Sequence, residues 1–381
     1  MAKVLLVDTN FSSAPIYQSL CDLGHEVHVV GGNPTDCLAK AVANYWNINY
    51  ADTDALEKLV ESEGFIYIVP GCTDRSYASC VAINKGRFPG IEPVDVDIAI
   101  NNKARFRDIA RRLGLPVPQV QDLSALRWPL IVKPVDSFSG KGITVIATED
   151  HELLSRAIED ARSASSQGEY LIEDFVTGTL HSHSAFLCGC MITNDFVVQE
   201  HGTTNPFVVD TSRVVFTPAG EVLHKLRHSV ETLATELGLL DGLIHTQFIL
   251  EGDDIWLIEM TRRCPGDLYS QLIELSTGFK YVDSYIRPFV GMPFEVQEKG
   301  LNNRAIMRHT LTVKEGQSLG FVRFRRAIQI ERWIPLSLVG DQLKPSPASR
   351  IAILFASARD EVELDALYAS SLQRDLYQIE V

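Results

Sequence analysis

The chain is short of everything that would span a membrane, staple a small fold or grip a nucleic acid. None of its apolar runs approaches the roughly 20 residues of a membrane-spanning helix. Met1, Ala2 and Lys3 lead straight into the apolar Val4–Val7 with no small-residue cleavage site behind, so no signal peptide is expected. The seven cysteines are odd in number and scattered. That argues against a disulfide framework and makes a reducing cytoplasm the expected compartment. A formal net charge of −14 leaves no broad basic surface for phosphate contacts; the short basic piece Arg323–Arg326 sits within an apolar pattern and reads as a strand edge. Internal repeats and low-complexity linkers are absent too, so the domains are expected to pack tightly.

Some familiar motifs are also missing. The residues after the first apolar run are Asp8, Thr9, Asn10 and Phe11, not the glycine fingerprint of a dinucleotide site. His181 and His183 precede Cys188 and Cys190, but on one strand the two pairs would face opposite sides of a sheet. They could not then share a tetrahedral zinc ion.

What is present is a globular composition, 45% hydrophobic and 22% charged, in 381 residues: enough for two or three domains. Lys3–Val7, His25–Val30 and Phe65–Val69 read as strands, with a helix over Ser12–Leu23 between the first two. This rhythm predicts a doubly wound parallel α/β sheet, whose ligands lie beyond the carboxyl ends of the strands. Asp8–Asn10 and Gly71–Tyr77 fall there. Thr73 and Asp74 are candidate substrate contacts, with simple helix capping as the equal alternative.

A helix from Lys103 ends at Gly114, and Pro116 and Pro118 prevent its continuation. Leu130–Lys133 and Ile143–Ala147 flank a loop holding Ser137, Ser139, Gly140 and Gly142, small residues that let backbone N–H groups approach phosphate. Tyr170–Val176 reads as a strand, Leu223–Leu237 as an amphipathic helix, and Ala305–Val313, Phe321–Ile330 and Ile351–Ala356 as strands.

The most informative stretch is Leu243–Asp267. Two apolar strands surround the turn Glu251–Asp254, so Gln247 and Glu259 can face each other. Glu259, Thr261 and Arg263 alternate and therefore point the same way. Oxygen ligands beside a guanidinium suit a magnesium-bound polyphosphate.

Taken together, these pieces resemble the ATP-grasp superfamily, in its carboxylate–amine ligase branch. Asn102, Lys103 and Arg107 resemble the family's Asp-Lys-x-x-x-Arg helix. Leu115–Pro118 resembles its exit, and Ile131–Pro134 with Ser137–Gly142 its second ATP lysine and flap. Glu173, Asp174, Phe175 and Val176 resemble the adenine hinge. His245–Gln247, Glu259–Arg263 and Gly266–Asp267 resemble the metal-binding pair and the motif after it. Three positions depart from the pattern: Leu180 replaces a ribose-binding acid, Gln247 the first metal acid and Thr261 an asparagine.

The resemblance implies an N-terminal α/β domain over 1–98, an ATP-grasp domain over 99–293 with a mobile lid near 116–176, and a small β-rich C-terminal unit over 294–381. It implies ATP and Mg²⁺ (or Mn²⁺) as cofactors. Lys103, Lys133 and the loop would meet the phosphates; Glu259, Gln247 and Thr261 the metal. Arg263 would stabilise the phosphoryl group in transfer, with Lys133 sharing the catalytic work. Small-molecule carboxylate and amine substrates are the expected partners, with no nucleic acid and no membrane, and a homodimer is compatible with this. Arg304 and Arg308 are candidate holders of a substrate carboxylate, with a solvated strand edge as the alternative. The implied activity is an ADP-forming ligase working through an acyl phosphate. Two alternatives stay open: a carboxylase using carboxyphosphate, and a nucleotide-binding protein with weakened catalysis.

Overall fold

The computed structural model describes residues 1–137, 140–294 and 303–380; Ser139 lies outside them. Four strands open the chain: β1 (Lys3–Val7), β2 (Glu26–Val30), β3 (Tyr45–Trp46) and β4 (Tyr67–Pro70). They pair in parallel in the order β3–β2–β1–β4. Val4–Val7 are wholly buried, which is why β1 reads as an unbroken apolar run instead of alternating. Its turn is held by Asp8, which accepts from Thr9 N and Asn10 N and, across the sheet top, from Ser13 Oγ and Cys72 N.

A second, three-stranded sheet comprises β5 (Leu130–Pro134), β6 (Thr144–Ile146) and β7 (Tyr170–Asp174), in the order β6–β5–β7. The helix His151–Ala164, capped by Asp150 through Leu153 N, packs Leu154, Ala157 and Ala161 against Leu130, Val132, Ile146 and Ile172.

The remaining long strands are β8 (Thr179–Cys188), β9 (Met191–His201), β10 (Thr211–Val215), β11 (Gly242–Glu251), β12 (Asp254–Thr261) and β13 (Ile306–Leu311). Short β14 (Gln317–Ser318) and β15 (Phe321–Phe324) follow, then β16 (Gln329–Pro335), β17 (Gln342–Leu343), β18 (Ala352–Ser357) and β19 (Tyr377–Glu380). Eight of these form one antiparallel sheet in the order β12–β11–β8–β9–β10–β13–β18–β16. The β-rich C-terminal stretch thus continues the central sheet, and its helix Glu361–Leu372 packs on β13 and β18. The strand expected over Phe321–Ile330 is in fact two, β15 and β16, in different sheets.

The two faces of this sheet differ. One packs Ala185, Val197, Ile244 and Phe248 against the helices Lys103–Arg112 and Gly220–Leu237. On the other, Phe186, Phe196, Val198, Leu243, Ile306 and Phe355 meet the helices Tyr269–Thr277 and Tyr281–Ile286 and share one core with the parallel sheet. Beyond that apolar patch the second face turns polar.

Candidate functional site

Strand register builds the polar patch. Gln247 on β11 lies opposite Glu259 on β12 and opposite Ser182 on β8, which pairs in turn with Val198 on β9. One step along the same face, Glu200 pairs with Ser212 on β10, and Ser212 with Arg308 on β13. Alternation of side chains therefore places Glu259, Gln247, Ser182, Glu200, Ser212 and Arg308 on one side of five adjoining strands and β13 beyond them. Thr261 is on this side too; its hydroxyl accepts from Arg263 N at 3.4 Å.

Cations gather above the acid. Lys103 Nζ lies 3.2 Å from Glu259 Oε2 and donates to Ser137 O at 3.2 Å. Burial works to raise the Glu259 carboxyl, but Lys103, with Arg263 and Lys133 nearby, holds it below the usual range. Lys133 is bonded to Glu173, whose other oxygen takes Arg107 Nε. All three are buried, and Arg107 Nη2 also donates to Ile258 O at 2.9 Å, tying the triad to β12. Burial pushes the Lys133 ammonium down to about 8, against the pull of Glu173.

The hinge candidates divide by role. The Glu173 carboxylate is taken by the triad, while Asp174 pairs with Arg127 at 3.1 Å. Asp174 N–H donates to Gln119 O and Phe175 N–H to Pro129 O, so the fold itself uses those two peptides. Val176 is the hinge residue whose N–H takes no part in these bonds. Leu180 pairs with Ile249 and brings no polar group. In the small-residue loop, Gly140 has φ 71°, and a Cβ there would come within 2.5 Å of Phe207 Cβ. Glycine thus permits close approach to the Asn205–Val208 turn.

The carboxyl ends of the parallel strands reach this site as well. Asp74 grips Arg263 with both oxygens. Thr73 caps the helix Asp74–Asn84 by accepting from Ser76 N at 3.1 Å and meets Tyr50 OH at 3.3 Å. Asp267 N–H donates to Ser12 Oγ. Asp267 and Leu268 both sit in the left-handed region, at φ 54° and 56°, a strained pair for side-chain-bearing residues. Arg350 at 2.5 Å and Arg308, through the Asp267 carbonyl at 3.0 Å, hold Asp267 there.

The structure gives Arg304 and Arg308 different surroundings. Arg304 precedes β13 and forms an exposed pair with Glu331 at 2.7 Å, whereas Arg308 is buried and donates to Ser212 Oγ at 2.7 Å. Asp267 is legible in the sequence as a continuation of the Glu259–Arg263 motif, whereas Glu200 and Arg350 are not legible there. Glu200 is buried, accepts from Gln247 Nε2 at 3.1 Å, and is pushed up to about 7 by burial, against the pull of Arg308. Only the alternation of β9 could have flagged it, and nothing local says which strand β9 adjoins.

Glu259, Gln247 and Thr261 offer hard oxygens, one of them charged, beneath two lysines. That donor set fits a magnesium-bound polyphosphate. Among the described residues no cluster of three or more His, Cys, Asp or Glu side chains makes a separate metal site.

No family model matches the chain. It is 24% identical over 291 residues to the carbamoyl phosphate synthase large chain of Vibrio vulnificus, covering 72% of this chain and 26% of that protein. It is 24% identical over 343 residues to the formate-dependent phosphoribosylglycinamide formyltransferase of Thioalkalivibrio sulfidiphilus, covering 86% and 79%. The chain spans about a quarter of the length of the synthase large chains it matches. Among solved structures it superposes on the L-amino acid ligase of Bacillus licheniformis with TM-score 0.80 and 17% identity, covering 100% of this chain and 98% of that one. It also superposes on the biotin carboxylase domain of Hydrogenobacter thermophilus 2-oxoglutarate carboxylase, solved with MgADP and bicarbonate, with TM-score 0.75 and 18% identity over 100% and 90%. Among the described residues no helix is long and apolar enough to cross a membrane.

Proposed function

Since the chain has the ATP-grasp fold, we propose that it is an ATP-dependent, ADP-forming ligase joining a small carboxylate to an amine. The observation that carries this reading is the pairing of Glu259 with Gln247 across the β11–β12 hairpin, with Lys103 3.2 Å from Glu259. Lys103 and Lys133 would hold the phosphates under the Ser137–Gly142 loop, and the Val176 peptide would meet the adenine. Glu259, Gln247 and Thr261 would hold Mg²⁺, which when bound neutralises phosphate charge.

The substrate carboxylate oxygen attacks the terminal phosphorus of ATP, giving an acyl phosphate and ADP. The amine then attacks the acyl carbon; phosphate leaves and the amine proton goes to solvent. The protein's work would be positioning and charge neutralisation by Lys133, Arg263 and Arg308. No nucleophilic side chain is needed.

ADP release across a panel of amino and hydroxy acids, each with and without a second amine, tests this. Glu259→Gln is expected to abolish release, because the remaining protein ligands are neutral. Wild-type silence across the panel, with ATP still bound, would leave a binding protein. The likeness to a carboxylase domain solved with bicarbonate supports a second reading, a carboxyphosphate-forming carboxylase. Release that depends on bicarbonate alone would favour it.

A further inference from the structure

Gln247 offers a metal no charge, yet its amide is not left to find its own orientation. Nε2 donates to Glu200 Oε2 at 3.1 Å. When ionised, this carboxyl accepts and does not donate, and the amide then turns its NH₂ toward β9, as the bond to Oε2 has it. Its carbonyl oxygen is then left for the opposite side, where β12 places Glu259. Glu200 cannot easily swing away. It is buried, hydrogen-bonded to Ser182 and drawn by the charge of Arg308, which Ser212 and the Asp267 carbonyl hold in turn.

Taking Gln247 and Glu259 as the metal-bearing pair, we propose that Glu200 completes the divalent-cation site from two strands away. It fixes the Gln247 amide with its oxygen toward the cleft and, in its ionised form, supplies behind that amide the negative charge that position 247 lacks. Glu200 is thus a positioning residue: it acts on the metal through Gln247. The two carboxylates of such a site are divided between β12 and β9, with a neutral amide between them. Glutamate at 247 alone would set two carboxylates side by side, whereas exchanging the two residues keeps both the charge and the hydrogen bond. The bland alternative is that Glu200 only balances the buried Arg308.

The test is Mn²⁺ affinity of the full chain with a non-hydrolysable ATP analogue, read from the paramagnetic resonance of free Mn²⁺ and therefore independent of turnover. Glu200→Gln is expected to weaken Mn²⁺ by about 10- to 100-fold, the usual effect of losing a partner behind a metal ligand. The exchange Glu200→Gln with Gln247→Glu is expected to recover most of that loss. Glu200→Asp keeps the charge but withdraws the acceptor by one methylene; it should also weaken Mn²⁺, and serves if Glu200→Gln does not fold. Unchanged Mn²⁺ affinity in folded Glu200→Gln or Glu200→Asp, with Glu259→Gln defective, would overturn the proposal alone. So would an exchange variant no better than the single one. A lowered Tm with wild-type Mn²⁺ affinity would leave Glu200 as the counter-charge of Arg308. Wild-type affinity in Glu259→Gln would instead overturn the metal-pair reading beneath it.

Discussion

Asp74, at the start of a helix in the parallel α/β part, holds Arg263 of the central sheet with two bonds, Nε–Oδ1 at 2.7 Å and Nη2–Oδ2 at 2.8 Å. Both side chains are mostly buried, so the pair is poorly screened by water. It also fixes which edge of the guanidinium remains for a ligand. Asp74→Asn should lower stability by about 1.5–3 kcal/mol, the scale of charged hydrogen bonds. It should reduce ADP formation while leaving ATP affinity near wild type. Denaturant unfolding and calorimetry check the two halves; wild-type turnover in the variant would remove Arg263 orientation from the mechanism.

Lys133 is expected to meet the ATP phosphates. Lys133→Ala in a folded variant should weaken nucleotide binding by about 1.5–3 kcal/mol. In the free protein its ammonium is pushed down to about 8, and phosphate favours the charged form. Nucleotide binding near pH 8.5 should therefore take up a fraction of a proton, and near pH 6.5 much less. Calorimetry in buffers of different ionisation enthalpy measures this. Lys133→Arg, always charged, should abolish the uptake; equal uptake in that variant would assign the proton elsewhere.

The triad Arg107–Glu173–Lys133 is buried, and its single acid answers two cations. Glu173→Gln should cost roughly 3–5 kcal/mol, since breaking a buried pair strands the charges that remain. Arg107 and Lys133 come from the helix Lys103–Arg112 and from β5, so the loss should also loosen the three-stranded sheet. Hydrogen exchange over Leu130–Pro134 that stays at the wild-type rate would speak against that coupling.

His245 lies in a closed network, with Nδ1 2.9 Å from Ser184 Oγ, which also meets Tyr281 OH at 3.0 Å. Burial pushes its imidazole from 6.5 down to about 3, with Arg263 adding to the effect. Between those values the unfolded chain binds a proton that the fold refuses. Its contribution to stability is thus fully present above the ordinary value and is lost as pH falls toward about 3, at about 1.4 kcal/mol per unit. Urea unfolding at several pH values should show His245→Gln declining less steeply than wild type in acid; parallel curves would refute the assignment.

The local parts of the fold were readable where one element carries its own signals. Lys3–Val7 is an apolar run bounded by charge and a turn, and Gly252 closes the β11–β12 hairpin at φ 62°. With the hairpin read, Gln247 and Glu259 could be brought near each other, but their pairing rests on a β-bulge between Gln247 and Phe248, since the register set at the turn would put Gln247 opposite Ile258. What could not be read is long-range. Nothing near Glu200 says that β8 separates β9 from β11, and nothing near Arg350 says that it reaches Asp267. Arg304 and Arg308 looked equivalent in sequence because alternation assumes a strand over both, yet β13 begins only at Ile306. Glu173 looked like a ligand-facing hinge acid; its burial between two cations depends on Arg107, 66 residues earlier.

The unbroken run of the large sheet bears on how the molecule can be cut. β10 is hydrogen-bonded to β13, and Arg308 sits in the same row as Glu200. A fragment ending near residue 293 would keep the lysines, the hairpin and the small-residue loop. It would also bare the edge of β10 and strip Asp267 of both its arginines, leaving the strained Asp267–Leu268 backbone without its braces. A chain ending near residue 293 should therefore form inclusion bodies.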